Sequence, residues 1–466
     1  MVENLMHIHF VGIGGAGMSG IAKVLLDMGY KVSGSDLKES RYTASLREKG
    51  AIISIGHSAG NINDPDVVVV STAIPATNPE VKAAKESNIP VMRRAEMLAE
   101  LGKNLRSIAV AGTHGKTTTT SMISLTFEKT GLDPTFLIGG ELNDIGSNAK
   151  HGGGEFFVTE ADESDGSLLF LNPEVIVLTN IEADHLDYYG SLEAIEEFFL
   201  KFVESLPEHG FVVACADNPG VARLMERSEK RFVTYGVEQE GESRPSAHNF
   251  IARNVVLHKF GSTYDAYHNG ALIGEVKLNV PGVHNVYNSL ATIALSNSLG
   301  IEMDAVLGAL SRFSGVKRRF QVIGTTPDFT LVDDYAHHPT EVEATLSAAK
   351  SGDWSRLICV FQPHRYSRTK FLSKEFGPAF SNADVVVLTD VYAAGEDPIP
   401  GVTGKAIVDA VLAESPRKNV VYLPKKTEIP KFLLETVREG DLVLTMGAGD
   451  ISAIGEDFLK LHNHRR

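Results

Sequence analysis

The sequence has few of the features that cross-link small proteins or anchor them in membranes. Only two cysteines occur in 466 residues, Cys215 and Cys359. Both lie in apolar runs, which predicts buried strand residues rather than a disulfide or metal ligands. No apolar run approaches the roughly 20 residues that a membrane-spanning helix needs. The start of the chain has no basic segment followed by an apolar core, so we predict no signal peptide and a cytoplasmic location.

An excess of positive charge is also missing. The formal net charge is -15, which argues against a general nucleic-acid binder and leaves room for a local basic pocket that takes an anionic substrate. The composition, with 43% hydrophobic and 22% charged residues, is that of a folded soluble protein. A chain of 466 residues is too long for one ordinary core, so two or three domains are expected.

Short apolar runs alternate with helical patterns, which predicts parallel α/β units. A change to polar alternation over 243–280, with a His-Asn-Gly turn at 268–270, predicts an antiparallel hairpin inserted in the second unit. We therefore predict an α/β protein of three domains, at 1–104, 105–314 and 315–466. The predicted strands are 7–11, 31–35, 51–55 and 66–70 in the first, 107–112, 156–160, 174–180 and 211–217 in the second, and 330–334, 356–361, 384–389 and 441–447 in the third.

The first glycine-rich turn, VGIGGAGMSG at 11–20, follows a strand and opens a helix. Gly12, Gly14 and Gly17 form the G-x-G-x-x-G spacing that lets a backbone approach a diphosphate at a helix N-terminus. Asp36 ends the second strand, where a ribose-binding carboxylate lies in dinucleotide-binding domains. The residues alone favour a dinucleotide. Another nucleotide diphosphate, or close packing without a ligand, stays open.

A second turn, IAVAGTHGKTTTT at 108–120, ends like a phosphate-binding loop but has Val110 where the usual spacing has its first glycine. Backbone N–H groups over 112–117 would surround phosphate oxygens. Lys116 would neutralise phosphate charge, and the Thr117 hydroxyl would reach a magnesium ion. The alternative is a glycine turn before an ordinary helix with a surface lysine.

Acidic residues follow the next strands of this unit. Glu160 ends a strand and precedes Asp162, Glu163 and Asp165, and His185 lies in TNIEADHLD after another strand. Strand ends at one edge of a parallel sheet converge, so we predict Thr117, Glu160 and His185 as Mg²⁺ ligands. A histidine ligand would widen the tolerance to Mn²⁺. Helix capping by a buried histidine is the alternative.

Seven segments resemble the ordered motifs of the Mur ligase family: GTHGKTTT, EADESD, TNIEADHLD, GVHNVYNSLA, RRFQ, DDYAHHPTE and FQPHRYSRT. The GIGGAGMSG opening is similar to the branch that adds L-alanine to UDP-N-acetylmuramate. The resemblance runs from residue 12 to at least 370. It implies a Rossmann-like N-terminal domain, a central P-loop ATPase domain with a small antiparallel insertion, and a Rossmann-like C-terminal domain. The first domain would then hold the UDP end of the substrate rather than a dinucleotide.

The resemblance also implies roles for single residues. The UDP-sugar would meet Gly12, Gly14, Gly15, Gly17 and Asp36. ATP would meet Gly112, Thr113, His114, Gly115, Lys116, Thr117 and Thr118, with Asp334 at the ribose and Arg319 at the γ-phosphate. His284, Asn285 and Asn288 would meet the adenine or position the loop beside it. The amino-acid pocket would consist of Tyr335, His337, His364, Arg365 and Arg368, with the proton of the amine going to His337 or His364, or else to magnesium-bound phosphate oxygens or water. For Arg318 and His338 we predict structural roles.

The implied activity is ATP- and Mg²⁺-dependent joining of L-alanine to the lactyl carboxylate of UDP-N-acetylmuramate through an acyl phosphate, in peptidoglycan precursor synthesis. The alternatives are a recycling ligase that adds a preformed tripeptide to the same sugar nucleotide, a nicotinamide-dependent dehydrogenase and a catalytically silent nucleotide-binding regulator. Many relatives carry a carbamylated lysine after the DHLD segment. Only Lys201 is near here, and we predict that it is unmodified.

Overall fold

The computed structural model of the protein describes residues 7–164, 166–238 and 248–465. Asp165 and residues 243–247 of the predicted insertion lie outside it. The described residues form two compact units. The first takes those of Met1–Glu182, Glu193–Ile251 and Asn288–Leu310, and the second those of Ala183–Leu192, Ala252–Tyr287 and Ser311–Arg466. The predicted domain boundaries at 104 and 314 stay predictions.

The N-terminal sheet has five parallel strands in the order β3-β2-β1-β4-β5. Every residue of β1 is buried, as expected for a central strand covered by helices on both faces. The strands are β1 (His7–Val11), β2 (Lys31–Asp36), β3 (Ile52–Ile55), β4 (Val67–Val70) and β5 (Val91–Arg93), and the helices are α1 (Ala16–Asp27), α2 (Arg41–Glu48), α3 (Pro79–Glu86) and α4 (Arg94–Gly102).

The rest of the first unit is built on strands in the order β12-β11-β10-β6-β9-β7-β8. All neighbours pair in parallel except β7 and β8, which are antiparallel. The strands are β6 (Arg106–Ala111), β7 (Thr135–Leu142), β8 (Ser147–Lys150), β9 (Phe156–Glu160), β10 (Val175–Leu178), β11 (Phe211–Cys215) and β12 (Arg231–Val237). Its helices are α5 (Lys116–Lys129), α7 (Leu192–Glu204) and α8 (Pro219–Glu226). The short helix α6 (Leu186–Tyr189) lies between them in sequence but belongs to the second unit.

The predicted antiparallel hairpin is present. It consists of β14 (Gly261–His268) and β15 (Ala271–Leu278), preceded by β13 (Phe250–His258). Its turn has positive φ at Asn269 (48°) and Gly270 (83°), as a two-residue type I′ turn requires. The helices that follow are α9 (Val283–Ser298) and α10 (Met303–Leu310).

The C-terminal sheet has the order β16-β17-β21-β18-β19-β20, with β16 antiparallel at one edge. Successive residues of its central strand pack into different cores: Leu442 and Leu444 join one cluster and Val443 the other. Both faces are therefore covered. The strands are β16 (Gln321–Thr325), β17 (Phe329–Asp334), β18 (Leu357–Phe361), β19 (Val385–Leu388), β20 (Asn419–Tyr422) and β21 (Asp441–Met446), and the helices are α11 (Pro339–Lys350), α12 (Tyr366–Leu372), α13 (Phe376–Ala379), α14 (Lys405–Glu414), α15 (Ile429–Thr436) and α16 (Ile451–Arg465).

The predicted fold class is confirmed: an α/β chain with an N-terminal parallel sheet, a large central sheet and a C-terminal sheet. Among the helices within 7–164, 166–238 and 248–465, none is both long enough and apolar enough to cross a membrane.

Candidate active site

The loop between β6 and α5 has a fixed, strongly curved backbone. Gly112 and Gly115 have φ of +129° and +81°, values that favour glycine. The loop is held from the end of β10: Thr179 Oγ1 donates to the His114 carbonyl (2.6 Å), and the His114 N–H donates to Asn180 Oδ1 (2.7 Å). The loop geometry is thus set by neighbouring side chains, as expected of a preformed anion site.

Lys116 begins α5 with its ammonium group largely buried, the side chain being 16% exposed. Its Nζ lies 2.8 Å from Glu163 Oε1 and donates to the carbonyls of Gly112 (2.5 Å) and Thr113 (3.1 Å). Burial alone would lower the pKa of Lys116, but the nearby carboxylates, Glu163 first, raise it. The loop therefore holds a permanent cation, which suits a site for phosphate oxygens.

Thr117 and Glu160 meet beside this cation. The Thr117 hydroxyl donates to Glu160 Oε2 (3.1 Å), and Glu160 Oε1 accepts from the Gly139 N–H (2.5 Å). Hydroxyl and carboxylate oxygens are hard ligands of the kind that Mg²⁺ prefers. This pair fits the predicted magnesium site. His185 belongs to the second unit, so its sharing of that ion stays a prediction.

Asn288, one of the residues predicted near the adenine, lies beside α5 and the loop that precedes it. Its Oδ1 accepts from the Thr119 hydroxyl (3.1 Å), and a Cβ added at Gly115 would come within 2.8 Å of the same oxygen. Asn285 instead donates through Nδ2 to the Pro281 carbonyl (2.7 Å). Thr118 lies half-buried in the first turn of α5.

The glycine turn after β1 is tied to the end of β2. The N–H groups of Gly12 and Ile13 donate to the Ser35 carbonyl (2.9 and 3.0 Å). The Gly14 N–H donates to Asp36 Oδ2 (2.8 Å). Asp36 thus braces the loop that precedes α1, and its predicted contact with the UDP-sugar stays a prediction. Gly15 caps α1.

A cavity of about 710 Å³ opens at the carboxyl ends of β4 and β5. Its walls include Ser71, Thr72, Arg93 and Arg94, none of which we predicted as site residues. The order β3-β2-β1-β4 reverses direction at β1, and ligands of open parallel sheets bind at such a point. Gly17 lies close by, since a Cβ there would be 3.2 Å from an Arg94 nitrogen. The segment STAIPATNPE at 71–80 follows the end of β4 directly. That position was the sequence feature from which this part of the site could have been predicted.

In the second unit, four predicted ATP and amino-acid residues lie together. The Arg319 guanidinium lies 5.2 Å from the centre of the Tyr335 ring. Burial raises the pKa of Asp334 to about 6, and the positive charge of nearby Arg319 opposes this rise. Burial, followed by Arg319, lowers the pKa of His284 to about 4. Asp334 accepts from the N–H groups of Phe320 (2.6 Å) and Ala336 (2.7 Å), so its carboxylate also braces the local backbone.

Two histidines of the predicted amino-acid pocket face one another. The His337 and His364 ring centres are 5.7 Å apart, and His364 stacks on Tyr392 at the same distance. Burial lowers the pKa of His337 to about 4. Burial, then His337 and Arg368, lowers that of His364 to about 3. Both rings are therefore neutral at pH 7, with a ring nitrogen open to a proton, but pKa values this low make them weak bases.

Arg368 joins the pocket to the DHLD segment. Its Nη2 donates to both Asp184 Oδ1 (3.1 Å) and Oδ2 (3.2 Å), and its Nε donates to Oδ1 (3.3 Å). Its Nη1 lies 3.3 Å from His364 Nδ1. The Arg368 and Asp184 side chains are only 6% and 11% exposed. Although burial opposes ionisation, Arg368 and neighbouring histidines hold the pKa of Asp184 well below its usual range. Asp184, Tyr392 and Glu341, which accepts from the His337 N–H (3.0 Å), are pocket residues that we did not predict.

The remaining predicted residues form ion pairs or lie in or beside helices. Arg365 lies 4.0 Å from both Asp187 and Glu396. Arg318 pairs with Asp333 (3.1 Å) and His338 caps α11, contacts of the structural kind that we predicted for both. His185 is the N-cap residue before α6 and has a φ of 51°. Lys201 is an exposed residue of α7.

Three family models match successive parts of the chain. "Mur ligase family, catalytic domain" matches residues 7–106, "Mur ligase middle domain" 110–296, and "Mur ligase, glutamate ligase domain" 318–449.

Individual relatives match over almost the whole length. The UDP-N-acetylmuramate–L-alanine ligase of Trichlorobacter lovleyi is 49% identical over 99% of this chain and 100% of its own. The crystal structure of the UDP-N-acetylmuramate–alanine ligase from Thermotoga maritima is 33% identical, with a TM-score of 0.82 over 99% of this chain and 100% of that one. A murein peptide ligase from Psychrobacter arcticus is 25% identical, with a TM-score of 0.72 over 98% of both chains.

Proposed function

The chain belongs to the Mur ligase family, and we propose that it joins L-alanine to the lactyl carboxylate of UDP-N-acetylmuramate at the expense of ATP. The observation that carries the choice of acceptor is the likeness to solved structures: 33% identity and a TM-score of 0.82 to an alanine ligase, against 25% and 0.72 to a murein peptide ligase. Both comparisons cover nearly the whole chain, so the difference is not that of a single domain. The identity of 49% to the Trichlorobacter lovleyi L-alanine ligase points the same way.

The reaction needs an activated carboxylate, because the lactyl carboxylate itself has no leaving group that an amine can displace. Transfer of the γ-phosphoryl group of ATP to a carboxylate oxygen gives an acyl phosphate and ADP. Attack of the amine then forms the amide bond and releases phosphate. The first step brings one anion against another, so fixed positive charge is required. The buried ammonium of Lys116 and the guanidinium of Arg319 are the cations that we assign to it.

Magnesium would be held by Thr117 and Glu160, with His185 as a further ligand. When bound, the ion would neutralise charge on the phosphate oxygens. Around the nucleotide we assign the loop residues Gly112, Thr113, His114, Gly115 and Thr118, with His284, Asn285 and Asn288 towards the adenine and Asp334 at the ribose. The hydrogen bonds that hold this loop to Thr179 and Asn180 support a preformed phosphate site.

The amine of L-alanine must lose a proton to attack. We assign this proton to His337 or His364, which face each other and are neutral at pH 7. Tyr335, Arg365 and Arg368 complete the proposed pocket. The Asp184 carboxylate fixes the Arg368 guanidinium through two oxygens, so Arg368 is positioned before an amino acid arrives.

The sugar nucleotide is assigned to the N-terminal domain. The turn with Gly12, Gly14, Gly15 and Gly17 would face the diphosphate, near Asp36. The cavity at β4 and β5 supports this assignment, because its arginines offer charge to an anionic ligand. The corresponding domains are proposed at 1–104, 105–314 and 315–466, and the location is proposed to be the cytoplasm.

The test is phosphate release by the purified protein with ATP, Mg²⁺, UDP-N-acetylmuramate and L-alanine, and in four mixtures that each omit one component. The proposal requires that release depend on all four. Release without L-alanine would indicate a hydrolase or an uncoupled acyl phosphate. Release without the sugar nucleotide would refute the assigned substrate.

A further inference from the structure

Glu80 is a fully buried carboxylate that none of the roles assigned so far uses. It is the second residue of α3, and its side chain is 0% exposed. An ionised carboxylate inside a domain is costly unless its oxygens are matched by donors. Its surroundings therefore indicate what it holds together.

Each oxygen of Glu80 accepts two hydrogen bonds. Oε2 accepts from the Ser35 hydroxyl (2.6 Å) and lies 3.0 Å from His9 Nε2. Oε1 accepts from the Ser58 N–H (3.0 Å) and from Asn61 Nδ2 (2.7 Å). Four donors fill the lone-pair positions of the carboxylate, so only the ionised form satisfies the site. Although burial opposes ionisation, the bonds from His9, Ser35, Asn61 and Ser58 lower the pKa of Glu80 to about 2.

His9, one of the two donors at Oε2, is itself held in place by contacts with Ser33 and, through it, His7. His9 Nδ1 lies 2.8 Å from Ser33 Oγ, which lies 2.8 Å from His7 Nε2. If His7 Nε2 donates to Ser33 and Ser33 donates to His9, then His9 carries its proton on Nε2 and points it at Glu80. All three residues are buried, so no solvent competes for these contacts.

The four donors come from different parts of the sheet edge. His9 lies on β1 and Ser35 on β2, whereas Ser58 and Asn61 belong to the loop after β3. Glu80 itself follows the loop after β4. One carboxylate thus joins the loops after β3 and β4 to the two central strands, at the edge where the proposed sugar nucleotide site lies.

Two features of that site adjoin Glu80 or its partner Ser35. Ser35, which donates to Glu80, also accepts the N–H groups of Gly12 and Ile13 through its carbonyl. Val81, the next residue of α3, lines the cavity at β4 and β5. A change at Glu80 would therefore reach both the glycine turn and the cavity wall.

We propose that Glu80 is a positioning residue for the sugar nucleotide: it holds the glycine turn and the loops after β3 and β4 in the arrangement that binds UDP-N-acetylmuramate. This inference rests on the proposed function. The hydrogen-bond partners of Glu80 lie on β1, β2 and the loop after β3, so its effect should be confined to one of the three substrates.

The test is the variant Glu80→Gln, with steady-state phosphate release measured while each substrate is varied in turn. Glutamine keeps the shape but turns one oxygen into an NH₂ group, which faces two donors. We expect the KM for UDP-N-acetylmuramate to rise at least about tenfold, with kcat and the KM for ATP within about twofold of wild type. Glu86→Gln, the same change at the exposed end of α3, should leave all constants unchanged.

An unchanged KM for the sugar nucleotide in folded Glu80→Gln would overturn the proposal, as would an equal loss in kcat with every KM preserved. If that variant does not fold, Asn61→Ala replaces it in the same measurement, since it removes one donor from a half-buried position. Asn61→Ala should raise the same KM several-fold, and wild-type behaviour would contradict us. If the wild-type protein shows no phosphate release that depends on the sugar nucleotide, the proposed function itself is refuted.

Discussion

At the scale of single residues, the hydroxyl of Thr117 is the smallest group to which we assign a metal. It lies 3.1 Å from Glu160 Oε2, so the two oxygens can serve one ion. Removing the hydroxyl while keeping the shape separates metal binding from packing. Thr130, at the other end of α5, donates to the Thr126 carbonyl and has no assigned ligand. It therefore offers a matched control.

We predict that Thr117→Val raises the Mg²⁺ concentration for half-maximal phosphate release about tenfold, the loss expected for one ligand worth about 1.4 kcal/mol. The KM for UDP-N-acetylmuramate should change less than about twofold. Magnesium titrations at saturating substrates measure both effects. Thr130→Val should behave as wild type, and an equal shift in both variants would rule out a special role for Thr117.

Some site residues could be predicted from sequence and others could not, for a physical reason. Lys116, Thr117 and Glu160 lie at strand ends and in a glycine turn, where short-range pattern determines position. Asp184 meets Arg368 across 184 residues of chain. Such a contact depends on how distant elements pack, and no local pattern encodes it. Glu80 was missed for the same reason, because its partners come from β1, β2 and the loop after β3.

At the scale of elements, the loop between β6 and α5 is where backbone geometry limits the sequence most. A Cβ at Gly112 would overlap Thr179 Oγ1 and lie 2.8 Å from the Asn180 carbonyl oxygen, in addition to the strain of φ +129°. Gly131, after α5, shares a positive φ of +81° but has nothing within 4 Å of an added Cβ. Comparison of the two isolates the effect of the contact.

We predict that Gly112→Ala lowers kcat/KM for ATP by at least about 100-fold, because the loop must move to relieve the overlap. Gly131→Ala should cost about 1–2 kcal/mol of stability, through its positive φ alone, and leave the kinetics near wild type. Steady-state kinetics at varied ATP, with far-ultraviolet circular dichroism as a check of folding, measures this. Full activity in Gly112→Ala would contradict the account of the loop.

The apolar runs of the sequence located the strands that are buried on both faces. The runs at 7–11, 156–160 and 441–447 correspond to β1, β9 and β21. The strands missed were β5, β7, β8, β12, β16 and β20. Several are short or lie at sheet edges, and β7 contains two adjacent glycines. Strands of this kind are stabilised by pairing with neighbours rather than by their own apolar pattern.

At the scale of the whole molecule, the distribution of buried histidines predicts how stability depends on pH. Burial lowers the pKa of His284 and His337 to about 4 and that of His364 to about 3, and all three lie in the second unit. The unfolded chain takes up these protons near pH 6.5, whereas the folded chain does not. Stability therefore falls as the pH drops from about 6.5 towards 4. Asp334, with its pKa raised to about 6, offsets part of the loss.

We predict that the melting temperature of the second unit falls by on the order of 10 °C between pH 7 and pH 5. The only tryptophan, Trp354, packs against the C-terminal core, so its fluorescence reports this unit. His364→Gln should reduce the pH effect, whereas His258→Gln, a change at an exposed residue of the same unit, should not. A melting temperature independent of pH over this range would be inconsistent with three neutral buried histidines.

The central claim is the identity of the acceptor, and one competition experiment tests it most directly. The protein is given ATP, Mg²⁺ and UDP-N-acetylmuramate with equal concentrations of L-alanine and the tripeptide L-alanyl-γ-D-glutamyl-meso-diaminopimelate. The mass of the sugar nucleotide product is then measured by mass spectrometry. We predict a product heavier than the substrate by one alanine residue. A product carrying the tripeptide would contradict the account and make the chain a murein peptide ligase.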